Sequence, residues 1–195
     1  MNLAIIKYNA GNIQSVLNAL ERLGVNAEVT DDVEQILSAD KIIFPGVGEA
    51  SSAMKSLQKS KLDLVIRELK QPVLGICVGM QLLCEFSEEN NTECLDIVPV
   101  RVKKFVSSKL KVPQVGWNKL YQLSSPLFDG IADNSYIYNV HSYYAEDSRY
   151  TIAKCNYGLE YAAAIKKDNF YGVQFHTEKS AETGDRIIKN FLELK

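Results

Sequence analysis

The chain has 195 residues, 46% of them hydrophobic and 24% charged, so it can bury a sizeable core and is not disordered or fibrous in composition. The formal net charge of -2 gives no basic field for nucleic acid. The longest nearly apolar run, residues 72–84, is shorter than the roughly 20 residues of a membrane span, and the first residues hold no basic leader. The four cysteines form no C-x-x-C pair, which favours free thiols. We therefore expect a cytoplasmic protein that binds neither nucleic acid nor membrane.

The first part of the chain alternates short apolar strands with helices. Three strand-turn-helix units follow one another: LAIIKY (3–8), the turn NAGN and an amphipathic helix; KIIF (41–44), PGVG and a long helical region over about 51–69; PVLGI (72–76) and a helix after Gly79. The apolar stripe of the first helix consists of Ile13, Val16, Leu17, Leu20 and Leu23. This alternation predicts right-handed βαβ units and a parallel sheet covered on both faces.

From about residue 95 the pattern changes to closely spaced strands. The candidates are IVPVRVKKF, KVPQVGW, SYIYNV, TIAKC, YAAAI and FYGVQF, which we interpret as hairpins and short crossovers. A last helix begins near Ser180, a candidate N-cap, and carries an inward stripe of Ile187, Ile188, Phe191 and Leu192. The chain is therefore predicted to be one mixed-sheet α/β domain.

Four segments follow predicted strands and would meet at the carboxyl edge of the sheet, where ligands bind. They are PGVG (45–48), Cys77, HSYY (141–144) and HTE (176–178). Cys77 stands at a predicted strand-to-helix elbow between two nearby glycines, where the helix N–H groups favour a thiolate. This position indicates a nucleophile, with a buried core cysteine as the alternative.

The chain has two histidines, His141 and His176, that could serve a nucleophilic cysteine as base. Glu178 follows His176 by two positions, and residues i and i+2 of an extended chain face the same way, so the carboxylate can orient the imidazole. A Cys77, His176, Glu178 triad follows, although H-x-E alone also suits an ordinary surface histidine. Zinc binding by these side chains is disfavoured, because their spacing matches no familiar zinc pattern.

Two further features support the site. The PGVG segment offers backbone N–H groups to an oxyanion beside Cys77, with a plain glycine turn as the alternative. It matches only half of a G-x-G-x-x-G dinucleotide fingerprint, because Ser51 stands where the third glycine should be. Gln81 lies one helical turn beyond Cys77, where it could hold a substrate or cap a backbone group.

The segments PGVG, GICVGMQ and QFHTEKS resemble, in order and spacing, the motifs of class I glutamine amidotransferases. VGWN (115–118), NVHSYY (139–144), TIAKCNYG (151–158) and KKDNFYGVQFHTEKS (166–180) narrow the resemblance to the glutaminase subunits of imidazole glycerol phosphate synthases. The resemblance covers essentially the whole chain. It implies one amidotransferase domain over residues 1–195 with a flavodoxin-like fold, a mixed and mostly parallel sheet flanked by helices, with extra antiparallel strands in the C-terminal half.

The resemblance also implies a role for each candidate residue. Cys77 is the nucleophile, His176 transfers protons and Glu178 orients the imidazole. An oxyanion hole is implied for the N–H groups of Val78 and of the loop Gly46, Val47 and Gly48. Binding of glutamine is implied for Gln81, His141, Ser142 and Tyr143. We expect no cofactor and no metal.

In that family the ammonia passes to a (β/α)8 barrel synthase subunit, so the resemblance implies a heterodimer that makes imidazole glycerol phosphate in histidine biosynthesis. Weak glutaminase activity is expected for the isolated chain. Trp117 either faces the barrel subunit or lies in the core. Thr177 stands where the family has proline, and Gln114 and Val115 stand where it has His-Met.

Three other functions fit the same triad. One is a paralogous amidotransferase subunit that supplies ammonia to a synthase of sugars for surface polysaccharide. The second is a stand-alone thiol hydrolase or peptidase, and the third is an inactive interaction subunit. Activation by a partner and reaction with glutamine-mimicking electrophiles distinguish them.

Overall fold

The structure is a computed structural model that describes residues 1–8, 12–108 and 110–194. The helices are α1 (Ile13–Arg22), α2 (Val33–Ser38), α3 (Ala50–Ser60), α4 (Leu62–Glu68), α5 (Val78–Leu83) and α6 (Ala181–Glu193). The first strands are β1 (Leu3–Ile6), β2 (Glu28–Thr30), β3 (Lys41–Gly46), β4 (Val73–Cys77), β5 (Cys84–Ser87) and β6 (Thr92–Glu93). The later strands are β7 (Val98–Lys104), β8 (Gln114–Leu120), β9 (Ser135–His141), β10 (Tyr143–Ala145), β11 (Thr151–Asn156), β12 (Glu160–Lys167) and β13 (Phe170–Val173). Short 3-10 helices cover Glu89–Asn91, Pro126–Phe128 and Thr177–Lys179.

Across these described ranges, eleven strands form one sheet in the order β2-β1-β3-β4-β13-β12-β10-β7-β5-β6, with β11 beside β12. The pairs from β2 to β13 along this order are parallel. The pairs from β13 through β12 and β10 to β7 are antiparallel. Strands β8 and β9 form a separate antiparallel ribbon. The predicted fold class, a mixed α/β sheet with antiparallel strands in the C-terminal half, is confirmed.

The core lies around the parallel strands, whose side chains are apolar on both faces. Ile42, Ile43 and Phe44 of β3 are fully buried, as are Val73 and Leu74 of β4. Such continuous apolar runs suit strands that are covered on both faces. No helix in the described part of the chain is long and apolar enough to cross a bilayer.

The C-terminal helix has the predicted apolar stripe. Ile187, Ile188 and Phe191 of α6 are fully buried, and Leu192 packs at the margin of the core. Ser180 occupies the N-cap position but makes no side-chain cap. Its hydroxyl instead donates to the carbonyl of His176 at 2.6 Å and accepts the N–H of Tyr138 at 2.9 Å. The serine therefore ties the start of α6 to the site.

The predicted helical region over about 51–69 is confirmed, and it consists of two helices, α3 and α4. Lys61 joins them in a left-handed conformation with φ of 60°. This turn ends α3 and lets Leu57 and Leu62 both become fully buried. Of the predicted turn NAGN, residues 9–11 lie outside the described residues.

Candidate active site

Cys77 stands where β4 turns into α5, at the strand-to-helix elbow that the sequence predicts. Its φ of 53° and ψ of -111° are strained for a residue with a side chain. Gly79 permits the turn, because a Cβ there would lie 2.0 Å from the carbonyl oxygen of Phe44 in β3. The close approach of α5 to β3 thus fixes the sulfur at the carboxyl edge of the parallel strands.

The structure brings His176 and Glu178 to Cys77. His176 Nδ1 lies 2.8 Å from Glu178 Oε1, and both side chains are buried. The sulfur of Cys77 lies close enough to His176 to raise the pKa of the imidazole, and both side chains line the same cavity. Thr177, which stands in place of the family's proline, does not separate the pair. Among the described residues, no group of three or more His, Cys, Asp or Glu side chains is arranged to hold a metal ion.

The environment of His176 favours a protonated imidazole. Burial lowers the pKa of His176, but hydrogen bonds with Cys77 and Glu178 and their negative charges outweigh this effect and raise the pKa to about 10. The ring therefore holds a proton at neutral pH, between a sulfur and a carboxylate. An imidazolium beside a cysteine is the arrangement that supplies a thiolate nucleophile.

Asn12 is a member of the site that sequence analysis missed. Its Nδ2 donates to Glu178 Oε1 at 2.6 Å, so this oxygen accepts from both Asn12 and His176. Asn12 is the N-cap residue of α1 but makes no side-chain cap, and its φ is 75°. Asparagine at an N-cap is an ordinary helix signal, so the pattern gave no reason to expect a contact 166 residues away.

A cavity of about 250 Å³ opens beside Cys77. It is smaller than the roughly 300–1,000 Å³ of pockets for drug-sized ligands, and so suits a small metabolite. Its lining includes the predicted residues Val47, Gly48, Cys77, Val78, Gln81, His141, Ser142, Tyr143 and His176, together with Glu89, Pro113 and Val140. Glu178 lies outside this lining, behind His176.

Gly46 lies outside the lining as well, because the predicted PGVG loop is shorter than expected. Pro45 and Gly46 continue strand β3, and Gly46 pairs in register with Cys77. A Cβ on Gly46 would lie 2.5 Å from the backbone nitrogen of Gly79, so glycine is needed for close packing here. Only Val47 and Gly48 form the loop at the cavity, and the oxyanion roles of these residues stay predictions.

Gln81 lines the cavity, and the NH₂ group of its side chain is hydrogen-bonded to two other protein groups. Gln81 Nε2 donates to the carbonyl of Tyr143 at 3.1 Å and to Gln174 Oε1 at 3.0 Å. The amide oxygen of Gln81 is therefore the group left for a ligand. An acceptor at this place suits an ammonium group.

The imidazole of His141 is bonded to protein on both sides. His141 Nδ1 lies 2.7 Å from the carbonyl of Tyr143, and Nε2 lies 3.3 Å from the hydroxyl of Tyr161. Burial lowers the pKa of His141 to about 4, against a raising effect of the Tyr143 contact and a further lowering by His176. His141 is thus a neutral part of the cavity wall. Ser142 and Tyr143, both half-buried, follow it along the lining.

We expect His141 to make the folded protein acid-sensitive. Its folded-state pKa of about 4 lies below the ordinary 6.5, so the unfolded chain takes up this proton first as the pH falls. The free energy of unfolding should fall between pH 6.5 and about 4, by about 3 kcal/mol from this residue alone. Above pH 6.5 the residue contributes no pH dependence.

Urea unfolding of His141→Asn over the same pH series checks this expectation. Asparagine can still donate to the Tyr143 carbonyl but does not titrate. The packing lost in the variant is independent of pH, so the difference in slope isolates the titration. Equal slopes for the two proteins would show that His141 titrates normally in the folded state.

Glu89 and Gln174 also belong to the site and were not predicted. Glu89 lines the cavity, and its Oε2 accepts the N–H of Ala50 at 2.7 Å. Burial raises the pKa of Glu89, the Ala50 hydrogen bond lowers it and the charge of Glu49 raises it again. Gln174 is fully buried and its amide reaches the sulfur of Cys77. Neither residue stands in a spacing that sequence reasoning could distinguish from solvated or core positions.

The β8–β9 ribbon covers the site and exposes an apolar face. The exposed side chains Val115, Trp117, Tyr136 and Val140, which we call the ribbon face, share one side of the ribbon because alternate residues of a strand point the same way. Trp117 is 53% exposed, so of the two alternatives for this residue a position in the core is wrong. The carbonyl oxygen of Val140 lies 3.9 Å from the sulfur of Cys77. The strand that carries this end of the ribbon face therefore passes beside the nucleophile.

The chain matches the family model described as "Glutamine amidotransferase class-I" over residues 4–194. It is 56% identical to "Imidazole glycerol phosphate synthase subunit HisH" of Bacteroides fragilis, over the full length of both chains. It is 47% identical to the protein of the same name from Haemophilus influenzae, over 99% of this chain and 98% of the other. These matches confirm the resemblance that the motifs indicate.

The fold also matches solved structures of distant sequence. A crystal structure of a glutamine amidotransferase superposes with a TM-score of 0.77 at 16% identity, over 99% of this chain and 98% of the other. At this identity the likeness concerns the fold alone. It agrees with the mixed α/β fold described above.

Proposed function

Since the chain belongs to the class-I glutamine amidotransferase family, we propose that it is the glutaminase subunit of an imidazole glycerol phosphate synthase. As one amidotransferase domain, it hydrolyses glutamine to glutamate and passes ammonia to a (β/α)8 barrel subunit in a heterodimer. The complex acts as a lyase in histidine biosynthesis. The observation that carries the proposal is the buried Cys77, His176, Glu178 constellation beside a cavity of about 250 Å³.

The chemistry follows from the protonation state of the pair. The thiolate of Cys77 attacks the side-chain amide carbon of glutamine, and His176 gives its proton to the departing ammonia. A γ-glutamyl thioester forms as the C–N bond breaks. His176 then takes a proton from water, which attacks the thioester and releases glutamate and the thiolate. Glu178, held by Asn12, accepts a hydrogen bond from Nδ1 of His176 in both steps, so Nδ1 keeps its proton and Nε2 exchanges protons with the substrate.

The cavity supplies groups for the rest of the substrate. N–H groups of Val78 and of the Val47 and Gly48 loop are the proposed donors to the oxyanion. The amide oxygen of Gln81 and the carboxylate of Glu89 suit the α-ammonium group of glutamine. Ser142 and Tyr143 complete the wall around the amino-acid end.

The ribbon face supports the proposed heterodimer. An apolar face that includes Trp117 and Tyr136 is unusual on a lone protein and typical of a protein interface. Its contact with the nucleophile through Val140 suits the confined transfer of ammonia, which would be protonated and lost in open water. Four free cysteines suit a reducing compartment, and we place the complex in the cytoplasm.

The test measures glutamate release from glutamine by the chain alone, with the histidine-pathway barrel subunit, and with that subunit plus its phosphoribulosyl formimino carboxamide nucleotide. We expect weak release by the chain alone and strong stimulation only with both additions. A barrel subunit that neither binds nor stimulates would contradict the proposal and favour the polysaccharide paralogue. Release at full rate without a partner would favour a stand-alone hydrolase.

Val115→Asp tests the interface within the same assay. A carboxylate on the ribbon face would be desolvated when the barrel subunit binds, and this costs free energy. Binding to the barrel subunit should therefore weaken about tenfold or more. Val33→Asp is the matched control, because Val33 is also an exposed valine but lies on α2. Binding that is equally affected by both variants would place the interface elsewhere.

A further inference from the structure

Gln174 is a fully buried polar residue in contact with the nucleophile. It follows β13 and precedes His176 by two positions. Its Oε1 accepts from Gln81 Nε2 at 3.0 Å, and its Nε2 lies 3.8 Å from the sulfur of Cys77. A buried amide must find partners for both of its ends, so these contacts hold the side chain in place.

The direction of each hydrogen bond can be followed from a backbone carbonyl. The carbonyl oxygen of Tyr143 can only accept, and it faces Nδ1 of His141 at 2.7 Å and Nε2 of Gln81 at 3.1 Å. The amide nitrogen of Gln81 must therefore be on this side, and it also faces the amide of Gln174. Since that nitrogen donates, Gln174 presents its oxygen to Gln81. The NH₂ group of Gln174 is then left to face Cys77.

We propose that Gln174 is a further catalytic residue, whose amide N–H donates to the sulfur of Cys77 and stabilises the thiolate before it attacks. A hydrogen bond to the charged form of an acid favours that form, and a carboxamide can neither accept this proton nor lose its own near neutral pH. Gln174 thus assists the thiolate through a hydrogen bond, in addition to the charge that the protonated His176 supplies. The inference rests on the proposed function only in taking this thiolate as the nucleophile.

Alkylation of the native protein by iodoacetamide measures the thiolate without glutamine or partner. The other three cysteines should not react, because burial raises the pKa of Cys94 to about 12, of Cys155 to about 11 and of Cys84 well above its usual range. Cys77→Ala serves as the blank. Cys77 acts on the pKa of His176 and of Tyr8, and both of these residues remain in every variant used.

Gln174→Met removes the donor and keeps a side chain of similar length. We expect the pH at which alkylation is half-maximal to rise by about one unit, and the rate well below that midpoint to fall about tenfold. Gln174→Glu keeps the acceptor for Gln81 but sets a carboxylate oxygen against the sulfur, and should slow alkylation further. If Gln174→Met does not fold, the alkylation profile of Gln174→Glu tests whether Gln174 donates to the sulfur.

Gln114→Met is the matched control. Gln114 is also a buried glutamine and accepts from the hydroxyl of Tyr161, but it does not touch the sulfur. Its alkylation profile should match that of the unmodified protein. Equal shifts for the two methionine variants, or no shift for Gln174→Met, would overturn the inference.

The two proposals can fail separately. A protein that shows the Gln174 shift but never hydrolyses glutamine, with or without the barrel subunit, would contradict the proposed function alone. A protein that hydrolyses glutamine but whose Gln174→Met variant alkylates normally would contradict the role of Gln174 alone.

Discussion

Replacing Cys77 with alanine is expected to abolish glutamate release by the complex with the barrel subunit and its nucleotide. Removal of a nucleophile that acts together with a base costs at least about a thousandfold in rate. His176 and Glu178 would still pair, but no thioester could form. Release of glutamate is measured with saturating glutamine, so that a change in glutamine affinity does not limit the rate.

The matched control is Cys94→Ala, which makes the same change at another buried cysteine. Cys94 follows β6 and contacts the carbonyl of Thr92. Its variant should retain activity within about twofold, with a stability loss of the size expected for a small buried group. If Cys77→Ala kept full activity under these conditions, the nucleophile would have to be another group.

Gly79→Ala should cost more stability than any other single methyl group added at a glycine of the α5 elbow. Its Cβ would overlap the carbonyl oxygen of Phe44 at 2.0 Å and approach the carbonyl carbon at 3.0 Å. Backbone atoms of a central strand cannot move aside as a flexible side chain does. We expect a loss of about 3 kcal/mol or more, the upper end for overpacked cores, and a fall in Tm of roughly 10 °C.

Gly24→Ala separates the effect of space from that of backbone conformation. Gly24 has φ of +71° but no atom within 4 Å of an added Cβ. Its variant should lose about 1 kcal/mol from the left-handed conformation alone. Thermal unfolding of both variants gives the comparison. A Gly79→Ala protein as stable as Gly24→Ala would mean that α5 is not packed against β3 as described.

The parallel half of the fold could be predicted from the sequence because its signals are local. The strands KIIF and PVLGI are apolar runs that end in glycine-rich turns, and they become β3 and β4. The elbow at Cys77 follows from the same pattern. The division of the predicted helical region at Lys61 was not predictable, because no glycine or proline marks the break and the burial of Leu57 and Leu62 decides it.

The short elements were missed for different reasons. Helix α2 had a usable signal, since Asp32 accepts the N–H of Gln35 as an N-cap. Strand β5 begins at Cys84, directly after α5, and had no signal of its own. Its pairing with β7 is a contact between distant segments, which local periodicity cannot report.

The candidate site was predictable only where residue types carry chemistry. Cys77, His176 and Glu178 could be chosen because cysteines and histidines are few and their reactivity is distinctive. Asn12 and Gln174 carry common amides, and their positions depend on how α1 and β13 pack in three dimensions. The structure brings all five together, and the roles of the first three stay predictions until the assays above are done.

Selection of variants for thermal stability alone is expected to delete the reactive sulfur. The φ of 53° and ψ of -111° at residue 77 cost a residue with a side chain roughly 1–3 kcal/mol, whereas glycine adopts them freely. A library selected only for resistance to heating would therefore enrich Cys77→Gly, a thermally more stable variant that lacks the nucleophile. Codon 77 has to be held constant in any such search.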